Sequence, residues 1–271
     1  MDVWDIQVLY YGKISIPKAN ITPNLDPDLM VDFPYLGFLL KKGNRKILVD
    51  SGISESYIRE GTGWGGWKTE GGRSYVEKAL AEKGVSPDEI EIVIYTHLHN
   101  EHGANSTLFR KAKLIVQKDE WQILLDPLPA MNVRREYEQS YIPEFSSMNL
   151  LKVEGDFELT DGIKIYKTPG HTPGSQSVAV TTKKGTVVLT GDEFILHCQA
   201  FPRQTELIDM QGNRHTITAA PGAYGSVMPS GIVYNYYDWY DSAYKIKAIA
   251  EADEPGFIIP GHEPSLLVTG I

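Results

Sequence analysis

The segment Thr96 to Asn105 reads THLHNEHGAN and sets three imidazoles, His97, His99 and His102, and one carboxylate, Glu101, within six consecutive residues. Three of the chain's seven histidines are concentrated here, which disfavours a polar loop with accidental histidines. His97 and His99 are two apart, so an extended backbone turns both rings to one face. Glu101 and His102 follow where the chain can turn into a helix and face a second centre. One short loop can thus serve two adjacent metals. The chain has a single cysteine, Cys198, so thiolate-rich clusters and internal disulfides are excluded, and a metal must be held by His and carboxylate.

Three further stretches repeat the arrangement of apolar strand, glycine and ligand. TPGHTPGS carries His171, LTGDEF carries Asp192 at the end of an apolar run, and IIPGHEP carries His262 at the end of another. A lone histidine commonly caps or bridges. Taken together, four strand ends that supply five histidines and two carboxylates have the composition of a two-metal hydrolytic site.

The elements that must position these residues are legible as short apolar runs bounded by Gly, Asn or Pro. Strands are predicted at Asp5 to Tyr11, Tyr35 to Leu40, Arg45 to Val49, Glu91 to Tyr95, Lys113 to Gln117, Ile163 to Lys167, Ser177 to Thr181, Thr186 to Thr190 and Gly256 to Pro260. Helices are predicted at Ser74 to Lys83, Lys118 to Leu125 and Tyr240 to Ala252, the first ended by Gly84 and the second by Pro127. KKGNRK at Lys41 to Lys46 and TTKKGT at Thr181 to Thr186 read as hairpin turns. Hairpins favour two face-to-face sheets with helices outside over a doubly wound parallel sheet. The stretches Gly61 to Gly72 and Cys198 to Gly231 are long and aperiodic, and such loops line sites or move; the second is the expected substrate lid.

At 271 residues, 42% hydrophobic and 23% charged, the chain has ordinary globular composition and is expected to form one domain, 1–271. Its net charge of −9 and lack of a Lys/Arg stripe argue against nucleic acid. The first residues lack a basic segment followed by an apolar run, and nowhere do 18 apolar residues run together, so no membrane partner and a cytoplasmic location are expected.

In this order, and with ILVDSGI at Ile47 to Ile53, the motifs THLHNEH, TPGHTPGS, LTGDEF and IIPGHEP closely resemble the metallo-β-lactamase superfamily, from about Tyr35 to Glu263. The resemblance implies an α/β, four-layer αβ/βα sandwich with two divalent metals at one edge of the sheets. His97, His99 and His171 would take metal one; Glu101, His102 and His262 would take metal two, and Asp192 would bridge. Zinc is the expected ion, with iron and manganese also suited to such ligands. A metal-bridged hydroxide would attack a carbonyl, with Glu101 receiving or returning a proton. Glu101 departs from the family's usual aspartate and is one methylene longer, so a more labile second metal is expected.

Among the superfamily's branches the chain looks most like the N-acyl-homoserine lactonase group, whose members open a lactone ring on a small-molecule substrate; a homodimer is allowed for. That group commonly carries a tyrosine three residues after the bridging aspartate, where this chain has Ile195. Substrate contacts are expected from Ile195, from Asn100 within the ligand loop, and from Trp64 and Trp67 in the Gly-rich loop. GTGWGG at Gly61 to Gly66 matches a dinucleotide pattern but lies in no strand–turn–helix unit. SAYK at Ser242 to Lys245 lacks the companion motifs of serine acyl-enzymes. The alternatives are a thioesterase of the glyoxalase II kind, a hydrolase of another small cyclic ester or amide, and a non-catalytic metal-binding protein with a degraded site.

Overall fold

The structure is a computed structural model and describes residues 3–271. The chain divides into two compact units, one formed by Met1–Ile14 and Tyr35–Gly155, the other by Ser15–Pro34 and Asp156–Ile271. The first is built on a seven-stranded sheet. In chain order its elements are β1 (Asp5–Pro17) and β2 (Met30–Lys42), of which residues 15–17 and 30–34 belong to the second unit, then β3 (Arg45–Val49), β4 (Thr69–Gly71), α1 (Arg73–Glu82), β5 (Ile92–Ile94), α2 (Asn100–Gly103), β6 (Lys113–Gln117), α3 (Lys118–Leu125), α4 (Pro129–Arg134), α5 (Tyr141–Ser146) and β7 (Asn149–Val153). The strand order is β4-β1-β2-β3-β5-β6-β7. Strands β3, β5, β6 and β7 run parallel, and the middle two are near-continuous apolar runs because both their faces are covered. Register pairs Val49 with Ile94, so Asp50 and Thr96 leave neighbouring strands at one end of the sheet.

The second unit carries β8 (Phe157–Thr160), β9 (Ile163–Lys167), β10 (Gln176–Thr182), β11 (Gly185–Leu189), α6 (His197–Ala200), β12 (Glu206–Ile208), β13 (Arg214–Thr216), α7 (Tyr236–Ile249), β14 (Ile258–Ile259) and α8 (Leu266–Thr269). Its main sheet has the order β14-β11-β10-β9-β8, antiparallel except where β11 meets β14. Phe194, Val227, Trp239, Ala243 and Ile246 form an apolar cluster on one side of it. Gly170 has φ +148, and a Cβ there would run into the main chain of Trp239, so only glycine lets the segment carrying His171 lie against α7.

Both predicted hairpins are present, with Lys42 opposite Arg45 and Thr182 opposite Gly185. Strands β3, β6 and β9 and helix α3 have their predicted bounds. Strands β1 and β2 extend well past prediction, while β4, β7, β8, β12 and β13 were not expected. The latter are short or lie at sheet edges, where apolar periodicity is weak; β7 has three exposed residues in five. The Cys198 to Gly231 stretch is not structureless, since it holds α6 and the β12–β13 hairpin. Among the described residues no helix is long and apolar enough to cross a membrane.

Candidate metal centre

In the first unit, Tyr95 leaves β5 and the chain turns into α2, so the ligand loop grows directly from a strand end. His97 lies at the centre of three converging imidazoles, its ring 4.7 Å from that of His99 and 4.2 Å from that of His102. All three rings are buried, and Glu101, in the first turn of α2, is half-buried. Asp50, at φ +61, organises this loop: its carboxylate accepts from the Thr96 amide (2.7 Å), the Thr96 hydroxyl (2.8 Å) and Nδ1 of His102 (2.9 Å). The Thr96 hydroxyl hydrogen is committed to Asp50, so its oxygen accepts from Nδ1 of His97 (3.1 Å). A second buried carboxylate, Glu120, accepts from the Leu98 amide and the Tyr137 hydroxyl, both at 2.9 Å, and the Tyr137 ring meets His99 edge-on at 4.8 Å.

The surroundings of Glu101 are phenolic. The Tyr35 and Tyr57 hydroxyls are held well above their ordinary range, first by burial and then by the charge of Glu101. Tyr141 is raised by burial, then by Glu138 and Glu101. These phenols stay protonated, and none competes with Glu101 as an anion. Asn100 is buried at the start of α2, its amide nitrogen donating to the Arg135 carbonyl. Trp64 and Trp67 are half-buried in the Gly-rich loop, Trp64 within a 3₁₀ turn.

In the second unit the candidate ligands come from three separate strand ends. Nδ1 of His171 donates to the Ile232 carbonyl (3.0 Å), and Nδ1 of His262 donates to the Pro34 carbonyl (2.7 Å). Each bond fixes the tautomer and turns the Nε2 lone pair inward. Asp192 meets both: its Oδ2 is 3.7 Å from His171 Nε2 and its Oδ1 is 3.1 Å from His262 Nε2. The next residue, Glu193, is fully buried; burial pushes its carboxyl well above the ordinary carboxylate range against the lowering effect of a bond from the His171 amide (3.3 Å). Ile195 is buried, and its carbonyl accepts from the His262 amide (3.1 Å), so the position has a backbone role and no hydroxyl.

The donor set suits a borderline divalent cation such as zinc. Of the five candidate histidines, four have Nδ1 committed to an acceptor; the other candidate ligands are the carboxylates Glu101 and Asp192, and no thiolate is among them. Burial pushes the Cys198 thiol up to about 12, which keeps it a neutral, inert group. His197, near the position of the missing tyrosine, donates from Nε2 to the Pro255 carbonyl (3.1 Å) and from its amide to Glu263 (2.9 Å). It lines a cavity of about 400 Å³ in the second unit with Leu196, Leu207, Ile217, Glu263 and Leu266.

Residues 32–262 match the family described as the metallo-beta-lactamase superfamily. The chain belongs to that superfamily. It is a metallo-hydrolase, and it is similar to the N-acyl homoserine lactonases. An N-acyl homoserine lactonase of a Bacillus species is 28% identical over 200 residues, which cover 69% of this chain and 76% of that one. An N-acyl homoserine lactone hydrolase, solved with the product N-hexanoyl-L-homoserine at its catalytic metal centre, superposes with a TM-score of 0.72 at 22% identity, covering 97% of this chain and 94% of that one. AidC, a dizinc quorum-quenching lactonase, gives a TM-score of 0.64 at 16% identity over 93% of this chain and 86% of its own. These structures share the fold of this metallo-hydrolase, as the motif order implied.

Asp50, Glu120 and Glu193 are the residues whose importance the sequence did not reveal. Asp50 carried a signal, since ILVD repeats the pattern of an apolar run ending in a carboxylate. Glu120 and Glu193 carried none, because a glutamate in a predicted helix or beside an aspartate in a turn reads as a solvated side chain.

Proposed function

We propose that this metallo-hydrolase opens the lactone ring of N-acyl homoserine lactones or a closely related small cyclic ester, using two divalent cations, with zinc the expected pair. His97, His99 and His171 would hold one ion and Glu101, His102 and His262 the other, with Asp192 contributing to both. In this reading residues 1–271 form one domain, and the enzyme works in the cytoplasm. The observation that carries the proposal is the position of Asp192, whose two oxygens face the Nε2 atoms of two different histidines, each oriented through Nδ1 by a main-chain carbonyl. Similarity to the lactonases supports the choice of bond.

When bound, the pair of cations supplies Lewis acidity for a substrate carbonyl and acidifies a water at neutral pH. The chain's own part is to hold and to exchange protons. Asp50 and Thr96 keep His97 and His102 in the tautomer that donates an electron pair from Nε2. Glu101 accepts a proton from the attacking water and returns one to the leaving alkoxide, among neutral phenols that do not take that proton in its place. Trp64, Trp67 and Asn100 line the substrate, with Ile195 leaving the tyrosine's usual role unfilled.

Metal content measured on protein purified without chelator, beside turnover of N-acyl homoserine lactones, a plain γ-lactone and a glutathione thioester, tests this. Two ions per chain with lactone opening, retained in Glu101→Asp, is the expected result. Two bound ions with thioester cleavage and no lactone opening would move the chain to the glyoxalase II kind. Bound metal with no turnover on any of the three would favour a non-catalytic protein.

A further inference from the structure

Glu193 is an unusual residue for its place. Its neighbour Phe194 belongs to an apolar cluster with Ala200, Val227, Trp239 and Ala243, and a carboxyl with no exposure to water is costly there unless a specific bond retains it. One oxygen, Oε2, accepts from the main-chain amide of His171 at 3.3 Å, while Oε1 has no hydrogen-bond partner among the described residues. The carbonyl of the same residue accepts from the Trp239 indole at 2.7 Å. Other bonds also hold the His171 segment: Ser242 donates to the Pro169 carbonyl, and the Tyr234 amide donates to the Gly170 carbonyl. Those bonds tie the segment to residues 232–242. The Glu193 bond ties it to the 3₁₀ turn Gly191–Glu193, which carries Asp192.

We propose that Glu193 is a positioning residue for the metal centre, setting the separation of His171 and Asp192 by holding the His171 main chain against the turn that presents Asp192. The inference rests on the dinuclear reading above. Without Glu193, His171 keeps its Nδ1 bond to Ile232 but loses its register with Asp192, so the loss falls on metal affinity more than on folding. Leucine fills the same space without an acceptor, and glutamine keeps a carbonyl where Oε2 sits.

The test is zinc affinity, by chelator competition on metal-free protein, for wild type, Glu193→Gln and Glu193→Leu, with circular dichroism and melting of the metal-free chains. The absorption spectrum of the cobalt-loaded forms is recorded in parallel. Glu193→Gln is expected to bind two ions within about threefold of wild type with an unchanged cobalt spectrum. Glu193→Leu should lose about 10- to 100-fold for one ion, the range found when an outer partner of a ligand is removed, and shift the cobalt spectrum while folding normally. Equal affinity and an unchanged spectrum in Glu193→Leu would overturn the inference alone, as would equal losses in both variants. Wild type that takes up no ion would overturn the metal reading and this inference with it. Glu193→Met, a more adaptable filler, carries the comparison should the leucine variant not fold.

Discussion

The histidine-rich loop of the first unit and the three candidate ligand positions of the second solve the same problem, the orientation of imidazoles, with different materials. In the first, His97, His99, Glu101 and His102 share one loop, and side chains orient the rings: Asp50 binds His102 directly and His97 through Thr96. In the second, His171, Asp192 and His262 lie on separate strand ends, and main-chain carbonyls of Ile232 and Pro34 do the orienting. A loop that must bend sharply to converge three imidazoles has few carbonyls to spare, so it borrows a carboxylate from the neighbouring strand. A ligand at a strand end has the backbone of adjacent segments within reach. The first region is therefore open to single side-chain substitutions, and the second is largely protected from them, with Glu193 the exception.

The second unit does contain a carboxylate that gathers donors as Asp50 does, but donors that belong to no candidate ligand, and it gives the largest expected effect. Asp26 accepts from Lys18 Nζ (2.8 Å) and from the Thr218 amide (3.1 Å), and Lys18 is fully buried. Asp26→Asn should cost about 3 kcal/mol in urea unfolding, because it leaves a buried ammonium without its counter-charge. Zinc affinity should be unchanged, so a large loss of affinity would break the distinction between the two regions. Partial burial alone would raise the Asp26 carboxyl, but the bonds from Lys18 and Thr218 bring it below its ordinary value. The folded form thus favours the ionised state, and the stabilisation is full above the unfolded pKa of about 3.9. It is lost as pH falls through the lowered folded value, so wild type and variant should converge in acid.

A smaller effect is expected at Asp50. Asparagine tolerates the left-handed backbone there and keeps one acceptor, but its NH₂ opposes the donors of Thr96 and His102. Zinc affinity should fall about 10- to 100-fold by chelator competition. A variant with wild-type affinity would mean that the side-chain frame of the first unit is dispensable.

The smallest is Tyr137→Phe, which removes the phenolic hydrogen bond to Glu120 and should cost about 1 kcal/mol of stability. The Tyr137 ring still meets His99, so metal content should hold at the wild-type level. Loss of metal in this variant would extend the side-chain frame from Asp50 to Glu120.

The sequence by itself determined the chemistry available. The ligand loop, the repeated pattern of apolar run, glycine and ligand, and both hairpins are local patterns, and local patterns survive in one dimension. Strands β3, β6 and β9 were legible because a buried strand needs an unbroken or alternating apolar run. Edge strands such as β7 and β12 were not, since an edge is held by backbone pairing and leaves little mark on side-chain choice. Only the tertiary structure decided which partner orients each histidine. The His262–Pro34 contact joins residues 228 apart in sequence and uses a carbonyl that every residue possesses. Glu193 was hidden for a related reason: a carboxylate beside an aspartate in a turn reads as solvated until the fold closes an apolar cluster around it and points it at His171.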